Sequence, residues 1–448
     1  MELLREKKWT IPEPGGRGGV RKTAVSQEKF YAEYFPTSHK IFDKTYYEDF
    51  NIYDENQKLL GVHDVNRISV PFQAMSIDII LAHLLGNKIY LSDSTLKDSP
   101  ALPLYREYWD ERNVNVGIYE FVKSALSLGD AALLFYRDTK TRKLKYQSLS
   151  MFDGDEFYME YDKYKEPYKF YKYYDDKCDV YDDSNVYTYL VASETEDTPK
   201  LLSTTAHGFK GMPVSYKKRE LGAFWTPVQG NIDNLELMLS RLSEDNRAKF
   251  KSLYHLSTDN PEDVETTKAG TMDMVITDKD GDFKLIPPAE ISTQFEFEYT
   301  SLKEIIFDAL GIVFPKHKSS GDMPTGSMKM MFYPTERVVM SLINEFDSSI
   351  DEINDIVKQG FIVENPDYQD SITKGNIKAS IRLFTPQDDM ARNENIATLL
   401  DKGVISEETA AEECSIASNN EMDRKNREKE AALAAEKAAA DLRLPFSE

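Results

Sequence analysis

Lys316, His317 and Lys318 stand side by side in the stretch FPKHKSSGDMPTG, residues 314–326, and Lys329 follows three residues later. Lysines on a short segment offer hydrated point charges to phosphate oxygens, a contact that tracks a polyanion without reading base sequence. Histidine adds charge only near or below its ordinary pKa of about 6.5. Two prolines, two glycines and two serines forbid a continuous helix across this stretch. The expectation is a mobile basic loop that meets a passing polyanion; a solvated loop with no ligand is the plainer alternative.

Other chemistry finds little support. GRGGVRKT, from Gly16, resembles a phosphate-binding loop, but Arg21 occupies the place of the second glycine and no apolar strand precedes it. A disordered basic arm over residues 1–25 is the better reading. The six histidines include no i, i+4 pair, and only Cys178 and Cys414 could join them, so neither a zinc site nor a disulfide framework is indicated. Asp278, Asp280 and Asp282 lack the glycine and the terminal glutamate of a helix-loop-helix calcium loop, and they read as a hairpin turn. No G-x-S-x-G or G-x-G-x-x-G motif occurs. Nothing asks for an enzyme, a metal or a cofactor.

Composition narrows the classes further. Hydrophobic residues make up 41% of the 448, enough for a sizeable core and two to four structural units. A net charge of −22 argues against a protein that grips DNA over its whole surface. It remains compatible with a wall past which DNA slides. Two cysteines fit a reducing assembly site, and no apolar run long enough to span a membrane is present.

The elements that would position the basic loop are helices. SLKEIIFDALGIV places Leu302, Ile305 and Ile306 on one apolar face before the loop. A second helical run from Ser327, kinked at Pro334, follows it to near Gly360. Upstream, Ile232, Leu235, Leu239 and Leu242 recur at spacings of 3, 4 and 3 in a helix expected to run from Pro227 to Leu256. Helices are also expected over Val70–Leu91, Tyr105–Arg112 and Gly117–Ser127, and strands over AALLFYRD and KLKYQSLSMF. Phe157–Tyr161 and Tyr168–Tyr174 read as paired strands whose tyrosines fill a sheet, in preference to a base-stacking platform. GTMDMVITDKDGDFKLI reads as two strands around Asp280–Gly281. Ile377–Pro386 reads as a strand, and the following helix ends at Gly403. Ala, Glu, Lys and Arg dominate 419–443, a solvated helix or frayed tail.

In order and local motif the chain resembles the portal proteins of tailed double-stranded DNA bacteriophages, from about Val70 to Glu430. SALSLGDAALLFYRD with KLKYQSLS is similar to the helix, glycine and strand pair of the portal wing. PVQGNIDNLELMLSRLSEDNRAKFKSLYHL resembles the first stem helix. TSLKEIIFDALGIVFPKHKSSGDMPTGSMKM resembles the second stem helix, tunnel loop and following helix. IRLFTPQDDMARNENIATLLDKGVISEETAAEEC resembles the returning wing strand and crown helices.

The resemblance implies an α+β multidomain portal fold. Its parts would be an N-terminal arm (1–25), a wing (26–225), a first stem helix (226–256) and a clip (257–298). A second stem helix (299–313), tunnel loop (314–326), kinked wing helix with returning strand (327–390) and helical crown with tail (391–448) complete it. It also implies a homo-oligomeric ring, usually of twelve copies, at one capsid vertex of the virion, assembled in the host cytoplasm. Double-stranded DNA would pass through the axis. Terminase, the major capsid protein and head-completion or tail adaptor proteins would be partners, with no membrane. A cellular ring-forming scaffold without a DNA role is the alternative from another class.

Overall fold

The computed structural model describes residues 24–53, 57–93, 101–164, 166–190, 199–249, 252–258, 272–278, 292–313, 325–384 and 389–407, with 410, 411, 414, 425, 426 and 429. In chain order these begin with α1 (Ala24–Tyr34), β1 (Phe50–Tyr53), β2 (Leu59–His63), α2 (Phe72–Leu85), β3 (Tyr90–Asp93), α3 (Ala101–Glu111) and α4 (Val114–Leu128). Strands follow: β4 (Asp130–Arg137), β5 (Leu144–Leu149), β6 (Glu156–Tyr161), β7 (Pro167–Tyr174), β8 (Lys177–Tyr181), β9 (Asn185–Leu190), β10 (Lys200–Ala206) and β11 (Val214–Lys218). Then come α5 (Gln229–Lys249), β12 (Ser252–Thr258), β13 (Met272–Asp278), α6 (Ser292–Leu310), α7 (Thr325–Glu364), α8 (Gln369–Lys374), β14 (Ile377–Ser380) and α9 (Asp389–Asp401). The fold is α+β.

Two compact units divide the chain: 1–313 with 334–384, and 314–333 with 385–448. The first is layered around β4. Alternate residues of a strand face opposite ways, and here Ala131, Leu133 and Phe135 join the helical core. Ala132 and Leu134 join Leu149, Phe157, Met159, Phe170 and Val214 on the other side. The sheet β11-β4-β5 thus lies between the helices and the antiparallel sheet β10-β9-β8-β7-β6. On the latter's far face Tyr158, Tyr171, Tyr173, Tyr187 and Tyr189 cluster around Cys178 and Val180, so some of the tyrosines fill the sheet, while Tyr161, Tyr164 and Tyr174 stay exposed.

Glycine makes the step from α4 into β4. Gly129 sits at φ +74 and its N–H closes on the Ala125 carbonyl. A Cβ there would lie 2.8 Å from the Gly222 Cα, which only glycine avoids. At the far end of α7, Glu364 accepts from the Tyr108 hydroxyl at 2.8 Å, the Leu144 amide at 2.8 Å and Arg112 at 2.5 Å, tying that helix to α3 and β5.

In the second unit α9 ends at a left-handed turn, with Gly403 at φ +67. Beyond it Glu407 meets the ammonium groups of Lys425 and Lys429 at 3.5 and 3.2 Å.

Several expected boundaries shift. The helix from Val70 is α2 and stops at Leu85; Gly86 and Asn87 break it, and Tyr90–Asp93 becomes a strand antiparallel to β14. β14 is itself shorter than the expected Ile377–Pro386 strand, because pairing ends at Ser380. α5 ends at Lys249 and not at Leu256: Ser252–Thr258 is a strand paired in parallel with Met272–Asp278. α6 begins at Ser292, seven residues before the expected stem helix, although Phe295, Phe297 and Tyr299 alternate with Glu296 and Glu298 in a strand-like period. The ring stack of Phe295 on Tyr299, at 6.3 Å, is the i, i+4 contact of a helix. α7 runs through Pro334 as a single helix. The turn at Asp280–Gly281 and its second strand lie outside the described residues.

Candidate functional site

α5 and α6 pack against each other, and their apolar stripes enter the main core. Pro227 lies in a short 3-10 turn that leads into α5, where its missing N–H costs no hydrogen bond. Ile232, Leu235 and Ile306 are fully buried, and Leu239 and Leu302 pack partly buried against the same core. Leu242, one turn later, is half-buried. Phe307 meets Phe72 of α2 edge-on at 5.1 Å, anchoring α6 from the same side.

Ile305 departs from the expected seam: it is 51% exposed while its neighbour Ile306 is buried. Successive helical residues point about 100° apart, so one turn of α6 serves two surfaces. On the outer one, Phe297 is 75% exposed, and it shares a shallow groove with Ser301, Leu302 and Ile305. Positions 297, 301 and 305 are spaced by four and lie along one face. α6 therefore carries an apolar face within the chain's core and a second, exposed one.

Lys316, His317 and Lys318 lie outside the described residues. Lys329 falls within α7, but its side chain lies outside them too.

The buried pairing of a polar face of α5 escaped the sequence reading. Glu236 and Ser240 are completely buried. Glu236 Oε1 pairs with His39 Nδ1 at 2.6 Å and accepts the Val70 amide at 2.9 Å. Ser240 Oγ accepts the Ile68 amide at 2.8 Å. Glu244 pairs with His63 Nε2 at 2.6 Å and accepts the Asn66 amide at 3.1 Å. Burial pushes the Glu244 carboxyl up, but the His63 ring and the Asn66 amide outweigh it, and the group titrates below its ordinary value. The available signal was the i, i+4, i+8 spacing of Glu236, Ser240 and Glu244 beside the apolar stripe. What it pairs with, nearly two hundred residues upstream, was not visible.

Among the described residues no group of three or more His, Cys, Asp or Glu could hold a metal ion, and no helix is long and apolar enough to cross a membrane. The arrangement is one of packing surfaces and buried hydrogen bonds. A sequence profile for the family described as "Phage portal protein, SPP1 Gp6-like" matches residues 28–435. The chain belongs to this portal family. Membership indicates phage portal function, a structural role at the portal vertex of the capsid. No curated protein matches the chain. Within this portal chain the matched span takes in α5, α6, α7 and the two larger sheets of the first unit.

Proposed function

We propose that this portal-family chain assembles as a ring, of twelve copies on the family resemblance, through which double-stranded DNA is packaged and ejected. The observation that carries the reading is the family match over nearly the whole chain, residues 28–435. The two surfaces of α6 support it. Ile306 packs into the chain's own core, while Phe297 and Ile305 remain exposed on a helix that a ring would place against its neighbour. Exposed aromatic and aliphatic residues grouped along one face are the pattern of a subunit contact.

In this reading α5 and α6 are the stem, and the stretch between them is the clip that meets terminase and later the head-completion or tail adaptor proteins. Lys316, His317 and Lys318, with Lys329, face DNA in the channel. The acidic balance of the chain, −22, keeps that contact weak and reversible. The major capsid protein surrounds the ring at the vertex.

Negative-stain imaging of the purified full chain tests the ring. The expected result is a closed ring with an axial hole wide enough for duplex DNA. A monomer or an open filament at assembly concentrations overturns it.

A further inference from the structure

α1 ends at Tyr34 and α2 begins at Phe72, and both helices are rooted in the main core through Phe30, Tyr31, Tyr34, Phe72 and Ile77. The chain between them leaves that core. Ile41, Tyr47 and Val65 are buried in a small cluster of their own, to which α5 contributes Leu237. The segment is cross-linked internally through Asp49, which meets Lys44 Nζ at 2.6 Å, Arg67 Nη2 at 2.7 Å and the Val65 amide at 3.2 Å. Pro36 and Pro71 mark its two ends.

Its bond to α5 is of another kind. The Asn66, Ile68 and Val70 amides go in turn to Glu244, Ser240 and Glu236, so an extended chain runs opposite to the helix. The lengths match. Two extended residues advance about 6.6 Å, and four helical residues about 6.0 Å. The zipper is closed at either end by a histidine, His39 on Glu236 and His63 on Glu244. The seal is imperfect: His39 Nε2 and Glu236 Oε2 are buried with no hydrogen-bond partner. Leaving buried polar atoms unpaired penalises the closed state and favours opening to water.

We propose that residues 39–53 and 57–70 form a tethered strap that opens and closes over the polar face of α5 as a unit, latched by Glu236 and Glu244, while the core behind α5 stays folded. The strap keeps its own cluster and its Asp49 cross-links in either state. Opening exposes Glu236, Leu237, Ser240 and Glu244 along the helix that the proposed function assigns to the stem; the strap itself does not depend on that assignment.

Protons are the natural trigger at Glu244, whose two oxygens are both engaged, Oε1 with His63 and Oε2 by the Asn66 amide. The other charged groups facing the zipper are Asp233, Arg241, Asp245 and Arg247 from α5, Glu33 from α1, and Lys40, Lys44, Asp49, Asp64 and Arg67 from the strap. Glu244 titrates below its ordinary value, so its contribution to closure is complete above the usual carboxylate range. It is lost as pH falls through that lowered value. Asp49, Lys44 and Arg67 hold the strap together internally, and the Asp49 carboxyl is itself well below the usual range, so the strap outlasts the latch.

Hydrogen exchange of the full chain, corrected at each pH for intrinsic rates, tests the proposal. Between pH 7 and pH 3, a span that carries Glu244 through its lowered value, the parent should lose protection at Asn66, Ile68 and Val70 at least tenfold more than in α4 and β4. Glu236→Gln with Glu244→Gln should show that loss already at pH 7, with α4 and β4 protected as in the parent. If strap and core amides of the parent lose protection together, or the double variant keeps its strap protected at pH 7, the proposal is wrong. Should the double variant not fold, the parent's own pH series decides.

Discussion

The Thr335 hydroxyl donates a 2.7 Å hydrogen bond to the Gly311 carbonyl, joining the end of α6 to the turn of α7 that follows Pro334. Thr335 is fully buried, so the bond is shielded from water. Gly311 itself ends α6 at φ +65, with the Gly311 amide on the Asp308 carbonyl and the Ile312 amide on the Phe307 carbonyl. Those two bonds make a Schellman cap, with buried Ile312 and Phe307 as its apolar pair.

Gly311→Ala therefore carries two costs. The left-handed backbone disfavours any Cβ, and the new atom would lie 2.5 Å from Val338 Cγ2 and 3.0 Å from the Pro334 carbonyl oxygen. Together they should remove about 2–4 kcal/mol of stability in denaturant titration. Gly403→Ala isolates the backbone cost, since φ is +67 and the space around its Cβ is open; about 1 kcal/mol is expected there. Equal losses at the two positions would refute the packing argument.

Adjacent residues of α6 should separate folding from assembly. Ile306→Asp buries an unpaired charge in the core and should cost about 4 kcal/mol or more, with little soluble folded protein. Ile305→Asp, at a half-exposed site, should change monomer stability by under about 0.5 kcal/mol yet lower ring yield in sedimentation. Leu239→Asp, partly buried on α5, should lower both. Rings of normal yield from Ile305→Asp would remove this face from the subunit contact.

Asp130 makes stability depend on pH in the unusual direction. The residue is buried at the first position of β4, and neither carboxyl oxygen has a hydrogen-bond partner within conventional limits. Burial pushes the carboxyl up to about 7, against the pull of nearby Tyr216 and Lys218. The folded state thus binds a proton that the unfolded chain has released above its ordinary value of 3.8. Stability from this group is complete below that value and declines as pH rises toward 7, by about 4 kcal/mol in all. Asp130→Asn should match the parent near pH 4 and exceed it by about 2–4 kcal/mol at pH 8. Parallel pH–stability curves for the two proteins would contradict this.

Lys316→Ala together with Lys318→Ala should leave thermal stability and ring yield unchanged while altering DNA packaging or retention. The difference should shrink as salt rises, because phosphate contacts release counterions. Packaging identical to the parent at every salt concentration would take these lysines off the DNA path.

Local pattern was enough to place much of the scaffold. The 3, 4, 3 spacing of Ile232, Leu235, Leu239 and Leu242 identified α5, and the unbroken apolar run Ala131–Tyr136 identified β4, because each pattern reflects the surroundings of one element. The glycine at 403 marked a helix end for the same reason, since a left-handed turn is a property of one residue. The family resemblance was likewise carried by the order of such local pieces.

What needed tertiary structure was every choice between partners. Ile305 and Ile306 are equally apolar in sequence, and only the packing of α6 on α2 and α5 decided which one is buried. Phe295 to Tyr299 alternate like a strand, and the apolar stripe of α5, polar at Asn246, resumes at Leu253 in β12. The helix in one case and the parallel pairing with β13 in the other depend on chain that local periodicity does not sample. His39 and Glu236 are 197 positions apart, and neither residue alone signals the other. A helix or turn follows from forces within a few residues; a buried hydrogen bond across such a distance exists only after the core has brought its two ends together.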